Sequence, residues 1–209
     1  TSCCPSWSVM AKNLFPETID KISNELTPMV ATARLIKQEH PDASVVFIGP
    51  CASKKLEASR RTVRSDVDFV ITFEELTGMF EAKGILLDEI KAMDEMKDAT
   101  AAGRGYGVAG GVANAIKECI EKYYPGTPVN IQHAESLAEC KKALLLAKAG
   151  KMNGCLIEGM ACPGGCIAGA GTNIAIPVAA RAVDKFKNEA EKKVPDESVD
   201  QEMVELEKE

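Results

Sequence analysis

The sequence predicts an α/β fold, a mixed and largely parallel sheet flanked by helices, on three observations. Four runs rich in apolar and β-branched residues are each short enough for a buried strand. Segments of helical period lie between them, and strand alternating with helix is the pattern of crossover-connected parallel strands. A chain of 209 residues with 45% hydrophobic content can bury a core without covalent staples.

Taken in order, Pro28 to Gln38 carries a helical pattern and Ser44 to Gly49 is the first strand. Asp68 to Thr72 is the second strand, and a helix from Phe73 to Ala82 follows it at once. A helix over Gly111 to Tyr123 precedes the third strand, Val129 to His133, and a helix over Leu137 to Ala149 precedes the fourth, Gly154 to Glu158. Pro163 to Ala170 begins a turn or short helix, and Ala175 to Lys193 reads as a longer helix. In sheets of this kind ligands gather beyond the strand C-termini, and Cys51 and Cys162 each follow closely on a predicted strand.

The net charge of −6 sits at one end. Asp196, Glu197, Asp200, Glu202, Glu205, Glu207 and Glu209 face only Lys208 there, so the chain before residue 195 is formally neutral. Residues 1–194 therefore read as the folded unit and 195–209 as an acidic, solvated or frayed tail. A neutral body with an acidic end is no partner for nucleic acid. No cationic segment leads into an apolar one, and no uninterrupted apolar stretch approaches the roughly 18 residues of a membrane span. Eight cysteines without a secretory signal point to a reducing, cytoplasmic and anaerobic setting, and a disulfide framework is disfavoured.

Five of those cysteines fall in three blocks, Thr1-Ser-Cys-Cys-Pro-Ser-Trp7, Gly49-Pro-Cys-Ala-Ser-Lys-Lys-Leu-Glu57 and Glu158-Gly-Met-Ala-Cys-Pro-Gly-Gly-Cys166. Cys4 and Cys51 stand in Pro-, Gly- and Ser-rich stretches where a chain turns and wraps a bulky ligand. Cys162 and Cys166 are four apart, a spacing that on a helix sets both sulfurs on one face. Gly164 and Gly165 let backbone approach closely an inorganic core. Thiols gathered in this way favour an iron–sulfur cluster. Zinc, which more often shows two close Cys-x-x-Cys pairs, and buried thiols without a metal stay open as alternatives. Cys119, Cys140 and Cys155 read as small apolar core residues, and His40 and His133 as isolated. Gly103 to Gly111 is glycine-rich but lacks the Gly-Lys-Ser/Thr ending of a phosphate loop and does not follow a predicted strand. It reads as backbone that packs closely around the metal site.

The three blocks resemble, in order, the signature motifs TSCCPxW, PCxxKKxE and ExMACxGGCxxG of the iron-only (FeFe) hydrogenases. The resemblance runs from Thr1 to about Gly171 and includes Val70 to Leu76 and Val108 to Val112. It implies reversible interconversion of two protons and two electrons with H2 at an H-cluster. That group is a 4Fe-4S cubane joined through one cysteine sulfur to a two-iron unit with carbon monoxide, cyanide and dithiolate ligands. By resemblance Cys4, Cys51, Cys162 and Cys166 hold the cubane, and Cys166 is the shared thiolate. Cys3 is the first proton-transfer group, Lys54 donates to a cyanide, Met160 packs on the two-iron unit, and Ser23 belongs to the proton path. The implied partners are a ferredoxin-like electron carrier and dedicated maturation enzymes.

Three departures mark a divergent subgroup: Gly49 and Met29 stand where the family has methionine and glutamine, and Gly169-Ala-Gly-Thr-Asn173 replaces GGGQP. The chain also opens inside the first motif. It is expected to be a fragment, one lobe plus part of a two-lobed catalytic domain, inactive without the N-terminal lobe. The competing expectations are a hydrogenase-like iron–sulfur protein with an assembly or sensory role, and a metal-free α/β scaffold.

Overall fold

Elements from α1 to α8 alternate with four short strands in a computed structural model that describes residues 1–91 and 99–195. The acidic residues 196–209 of the predicted tail lie outside the described residues. In chain order the elements are α1 (Pro5–Leu14), α2 (Pro28–Glu39), β1 (Val46–Gly49), α3 (Ser53–Ala58), β2 (Phe69–Thr72) and α4 (Phe73–Ala82). There follow α5 (Ala101–Arg104), α6 (Gly111–Tyr123), β3 (Asn130–Glu135), α7 (Leu137–Lys148), β4 (Cys155–Met160) and α8 (Ile176–Asn188). Each predicted strand is present within two residues of its expected bounds. The α4 helix is fixed by a capping box, in which the Thr72 hydroxyl accepts the Glu75 N–H at 3.2 Å and the Glu75 carboxylate accepts the Thr72 N–H at 2.8 Å, satisfying two end donors at once. The last helix ends at Asn188, short of the expected Lys193.

All strand pairing among the described residues is parallel, in two separate two-stranded sheets: β1 beside β2, with Val46 opposite Phe69, and β3 beside β4, with Asn130 opposite Cys155. Each sheet serves its own core. Phe47 and Val70 project from the first sheet onto Met29, Val30, Ala33, Val63 and Val67, while Val46, Ile48 and Phe69 stay exposed on its other face. Met29 is thus a core residue, which explains its apolar side chain. Beside the second sheet, Trp7, Ala11 and Phe15 of the N-terminal segment pack with Ala134, Cys140, Ala143 and Leu144.

Trp7 explains a glycine. A Cβ on Gly159 would lie 2.5 Å from the indole, so the bare backbone of β4 lets the ring lie flat on it. The indole N–H donates to the Thr1 carbonyl at 3.0 Å, and together these contacts press the Cys3–Cys4 segment onto the end of β4.

Candidate metal centre

Three connections converge on one cavity. Cys3 and Cys4 lead into α1, with Cys4 at its N-cap and Pro5 as its first residue, a position where the missing proline N–H costs nothing. Cys51 follows β1 and Lys54 lies in α3; Met160 ends β4, and Cys162 and Cys166 occupy the loop beyond it. Both strand ends are C-terminal ends, where the fold class predicts ligands. The cavity measures about 140 Å³ and its wall includes Cys3, Cys4, Cys51, Cys162, Cys166 and Lys54, with Met160 beside them. All eight cysteines are free thiols.

The helix spacing proposed for Cys162 and Cys166 is not what brings them together. Gly164 and Gly165 have φ of +91° and +87°, so the chain reverses between the two cysteines, and Cys166 opens only a single 3₁₀ turn. The glycines also permit close approach: a Cβ on Gly165 would lie 2.5 Å from the Ala109 nitrogen and 2.7 Å from the Val108 carbonyl carbon. Ala109 N–H donates to the Gly164 carbonyl at 3.0 Å. The glycine-rich segment therefore backs the cysteine turn from behind and takes no part in the cavity wall. Beyond Cys166 the loop reaches the other sheet, where Gly171 N–H donates to the Pro50 carbonyl at 2.9 Å and Glu74 N–H donates to the Gly171 carbonyl at 3.1 Å.

Burial pushes the Cys166 thiol up to about 12, reinforced by Cys3, Cys51 and Cys4. Cys162 is raised by burial, then by Cys4 and Cys51. Cys3 is raised by burial against the opposing pull of the Lys54 ammonium. Burial is the main cause in each case, and facing thiols add to it at Cys166 and Cys162; a bound cation would act in the opposite sense. Among the described residues no three His, Cys, Asp or Glu side chains converge closely enough to hold a single metal ion. Four thiols spread around a cavity suit a polynuclear core better than a lone zinc.

Lys54 is buried. Its ammonium donates to Glu57 Oε2 at 2.7 Å and to the Cys3 carbonyl at 3.3 Å, and the Thr27 hydroxyl donates to Glu57 Oε1 at 2.6 Å. Glu57 stands in the second cysteine block, but its partner Thr27 is thirty residues away, so only its place three residues after Lys54 hints at the pair. Ser23 is not among the residues lining that cavity. It is exposed, its hydroxyl accepts the Glu25 N–H at 3.2 Å, and it lines a separate polar cavity of about 190 Å³ together with Thr27 and Glu57.

Glu158, the first residue of the third block, is 1% exposed and holds the glycine-rich segment in place. Its carboxylate accepts the N–H groups of Gly110 at 2.6 Å, Val112 at 3.0 Å and Ala113 at 3.2 Å, and lies 3.2 Å from His133 Nδ1. His133, expected to be isolated, is part of this network. The start of α6, which a phosphate would need, is occupied by an internal anion. Cys140 is fully buried as expected, whereas Cys119 and Cys155 are half-buried.

The family model for the C-terminal domain of the iron-only hydrogenase large subunit matches residues 1–170. The chain belongs to the iron-only hydrogenase family. Within it, this hydrogenase-family chain is 29% identical to the periplasmic [Fe] hydrogenase large subunit of Nitratidesulfovibrio vulgaris over 88% of its own length, which is 53% of that protein. It is 27% identical to iron hydrogenase 1 of Clostridium pasteurianum over 82% of its length, 37% of that protein. It spans between a third and about half of the curated hydrogenases it matches. A shorter likeness, 38% identity over 78 residues, joins it to the cytosolic Fe-S cluster assembly factor NAR1 of Kluyveromyces lactis. A variant of [FeFe]-hydrogenase HydA1 from Chlamydomonas reinhardtii superimposes with a TM-score of 0.71 over 97% of this chain and 69% of that one, at 21% identity. The fold is therefore that of the hydrogenase C-terminal domain, in its mixed α/β form with short parallel sheets. No described helix is long and apolar enough to cross a membrane.

Proposed function

We propose that this chain is the C-terminal part of a hydrogenase catalytic domain that interconverts two protons and two electrons with H2. The reading is carried by one observation: Cys4, Cys51, Cys162 and Cys166 meet Cys3, Lys54 and Met160 around a single cavity. The donor set fits an H-cluster, with four thiols for a 4Fe-4S cubane, Cys166 as the thiolate shared with a two-iron unit, and a cation for its anionic ligands. When bound, that group supplies the making and breaking of the H–H bond, with carbon monoxide, cyanide and dithiolate ligands on its two-iron part.

The chain's own residues supply the surroundings. Lys54 offers a positive charge and an N–H to a cyanide. Met160, 2% exposed, gives a soft, packed wall that keeps water out. Cys3 Sγ holds and releases the proton: its thiol is kept protonated by burial and drawn toward the thiolate by Lys54, the balance a general acid needs. Ser23 would serve further out, at the polar cavity it shares with Glu57. Electrons would come from a ferredoxin-like carrier, the cofactor from maturation enzymes, and the remaining lobe of the catalytic domain from additional chain. Eight free thiols suit a reducing, anaerobic cytoplasm.

The likeness to NAR1 favours a second reading, an iron–sulfur assembly or sensory protein without H2 turnover. A simple cubane carrier has no need of Cys3 or of a buried cation at the cluster. The deciding experiment is infrared spectroscopy of the full-length protein, matured anaerobically with its two-iron cofactor. Iron-bound carbon monoxide and cyanide absorb between roughly 1800 and 2100 wavenumbers, a signature of the cofactor itself. Bands there that shift under H2 establish the hydrogenase. A silent region in a sample whose iron content matches a cubane counts against the hydrogenase and favours the assembly or sensory role.

A further inference from the structure

We propose that Thr27 and Glu57 are positioning residues for Lys54, a hydrogen-bonded brace that forms the wall between two cavities and aims the ammonium into the cysteine-lined one. Lys54 lines the cysteine cavity and Glu57 lines the polar one. The two are joined by their ion pair at 2.7 Å, with side chains only 11% and 3% exposed. A buried ion pair offsets its desolvation only when its remaining hydrogen-bonding capacity is met with good geometry.

Here the capacity is met almost completely. One Glu57 oxygen accepts Lys54 and the other accepts the Thr27 hydroxyl at 2.6 Å. Of the three ammonium protons, one goes to Glu57 and one to the Cys3 carbonyl. The third has no partner among the described residues, and Lys54 lines the cysteine cavity. Lys54 sits on a flexible four-carbon stem, in a helix of only six residues, so α3 alone does not fix its head. The Thr27–Glu57 brace does, and it anchors that head to α2 across thirty residues of sequence. It also separates a polar, water-accessible space from the thiols.

The aim at an anionic ligand rests on the hydrogenase reading, whereas the brace itself does not, and the experiment separates them. In metal-free protein, each lysine is labelled with an amine-acylating reagent and quantified by peptide mass spectrometry. Lys54 should react far more slowly than its neighbour Lys55, whose side chain is 44% exposed. Thr27→Val, which keeps the shape and removes the hydroxyl, should raise Lys54 labelling by about 10-fold, while Thr27→Ser should restore protection. Thr27 makes no side-chain cap to α2, so valine leaves that helix intact.

In matured full-length protein, Thr27→Val should also shift the cyanide stretches, and Thr27→Ser should return them. Lys54 labelling as fast as Lys55 in the unsubstituted protein, or unchanged by Thr27→Val, overturns the brace. Labelling that responds to Thr27→Val while cyanide bands are present and unmoved overturns the aim at the ligand. Labelling that responds in a protein with no such bands retains the brace and rejects the hydrogenase reading.

Discussion

Replacing Gly165 with alanine tests how the cysteine turn is built. Gly165 has φ +87° and ψ −158°, a region open essentially to glycine alone and costing a side-chain residue about 1–3 kcal/mol. Its added Cβ would lie 2.5 Å from the Ala109 nitrogen and 2.9 Å from the Gly107 carbonyl oxygen. Those are backbone atoms, which yield only by moving the glycine-rich segment, and overpacking of this kind costs about 1–3 kcal/mol more. Gly165→Ala should therefore lose about 2–6 kcal/mol. Gly126 is the control. It has the same φ of +87° and nothing within 4 Å of an added Cβ, so Gly126→Ala should cost only the strain of a left-handed backbone, about 1–2 kcal/mol. Denaturant titration of both variants reads the excess cost at Gly165, which combines its extended ψ with the close packing behind it. Iron and sulfide content after reconstitution then reads whether Cys162 and Cys166 still face each other. Equal costs for the two variants, or full iron content in Gly165→Ala, would refute the claim that close packing behind the turn sets the thiols.

In matured full-length protein, Cys3→Ala should retain its iron and lose turnover by about 100-fold or more; full H2 activity would remove Cys3 from the proton path. Cys166→Ala, by contrast, should lose the two-iron unit, visible as missing carbon monoxide and cyanide bands. Glu158→Gln trades a carboxylate that accepts three N–H groups for an amide with a single acceptor. It should cost about 1–3 kcal/mol in urea unfolding, while His133→Ala, at a side chain 40% exposed, should cost less. In metal-free protein the thiols impose an alkaline limit. Cys140 is pushed up to about 11 and Cys166 to about 12, chiefly by burial, from an ordinary 9. The folded state holds these protons more tightly than the unfolded state, so their stabilisation is complete below pH 9 and is lost as pH rises toward 11 to 12. Denaturation midpoints should fall over that window and fall less in Cys140→Ala; a midpoint independent of pH up to 11 would show that burial does not control these thiols.

Legibility in the sequence followed the range of the interaction. The four strands and the helices α2, α4, α6 and α7 were readable because their apolar periodicity is local. Helices α1 and α3 were missed because they begin inside the cysteine blocks, where Pro5 and the Pro50–Cys51 turn dominate the local signal. The four candidate ligands were visible as chemistry, yet the geometry joining Cys162 to Cys166 was misread: a four-residue spacing suits a helix, but Pro163 and two positive-φ glycines make a reversal. Glu57 and Glu158 sat in plain view within the motifs. Their partners Thr27, Gly110 and Val112 are brought near only by folding, so no spacing rule could assign them.

The stretch from Cys162 to Gly171 leaves the end of β4 and is hydrogen-bonded to Pro50 and Glu74 beside the first sheet. It is a strap between two structurally separate layers, and it carries two of the four candidate ligand thiols. Whatever those thiols grip is held in common by both sheets and by the N-terminal Cys4. Free energy of binding at the cavity is then felt as stiffness across the chain, since a ligand held only by the assembled arrangement draws the equilibrium toward it. Loading and stripping the metal should accordingly slow and quicken amide hydrogen exchange at the ends of β1 and β4 together, as one cooperative unit rather than as two.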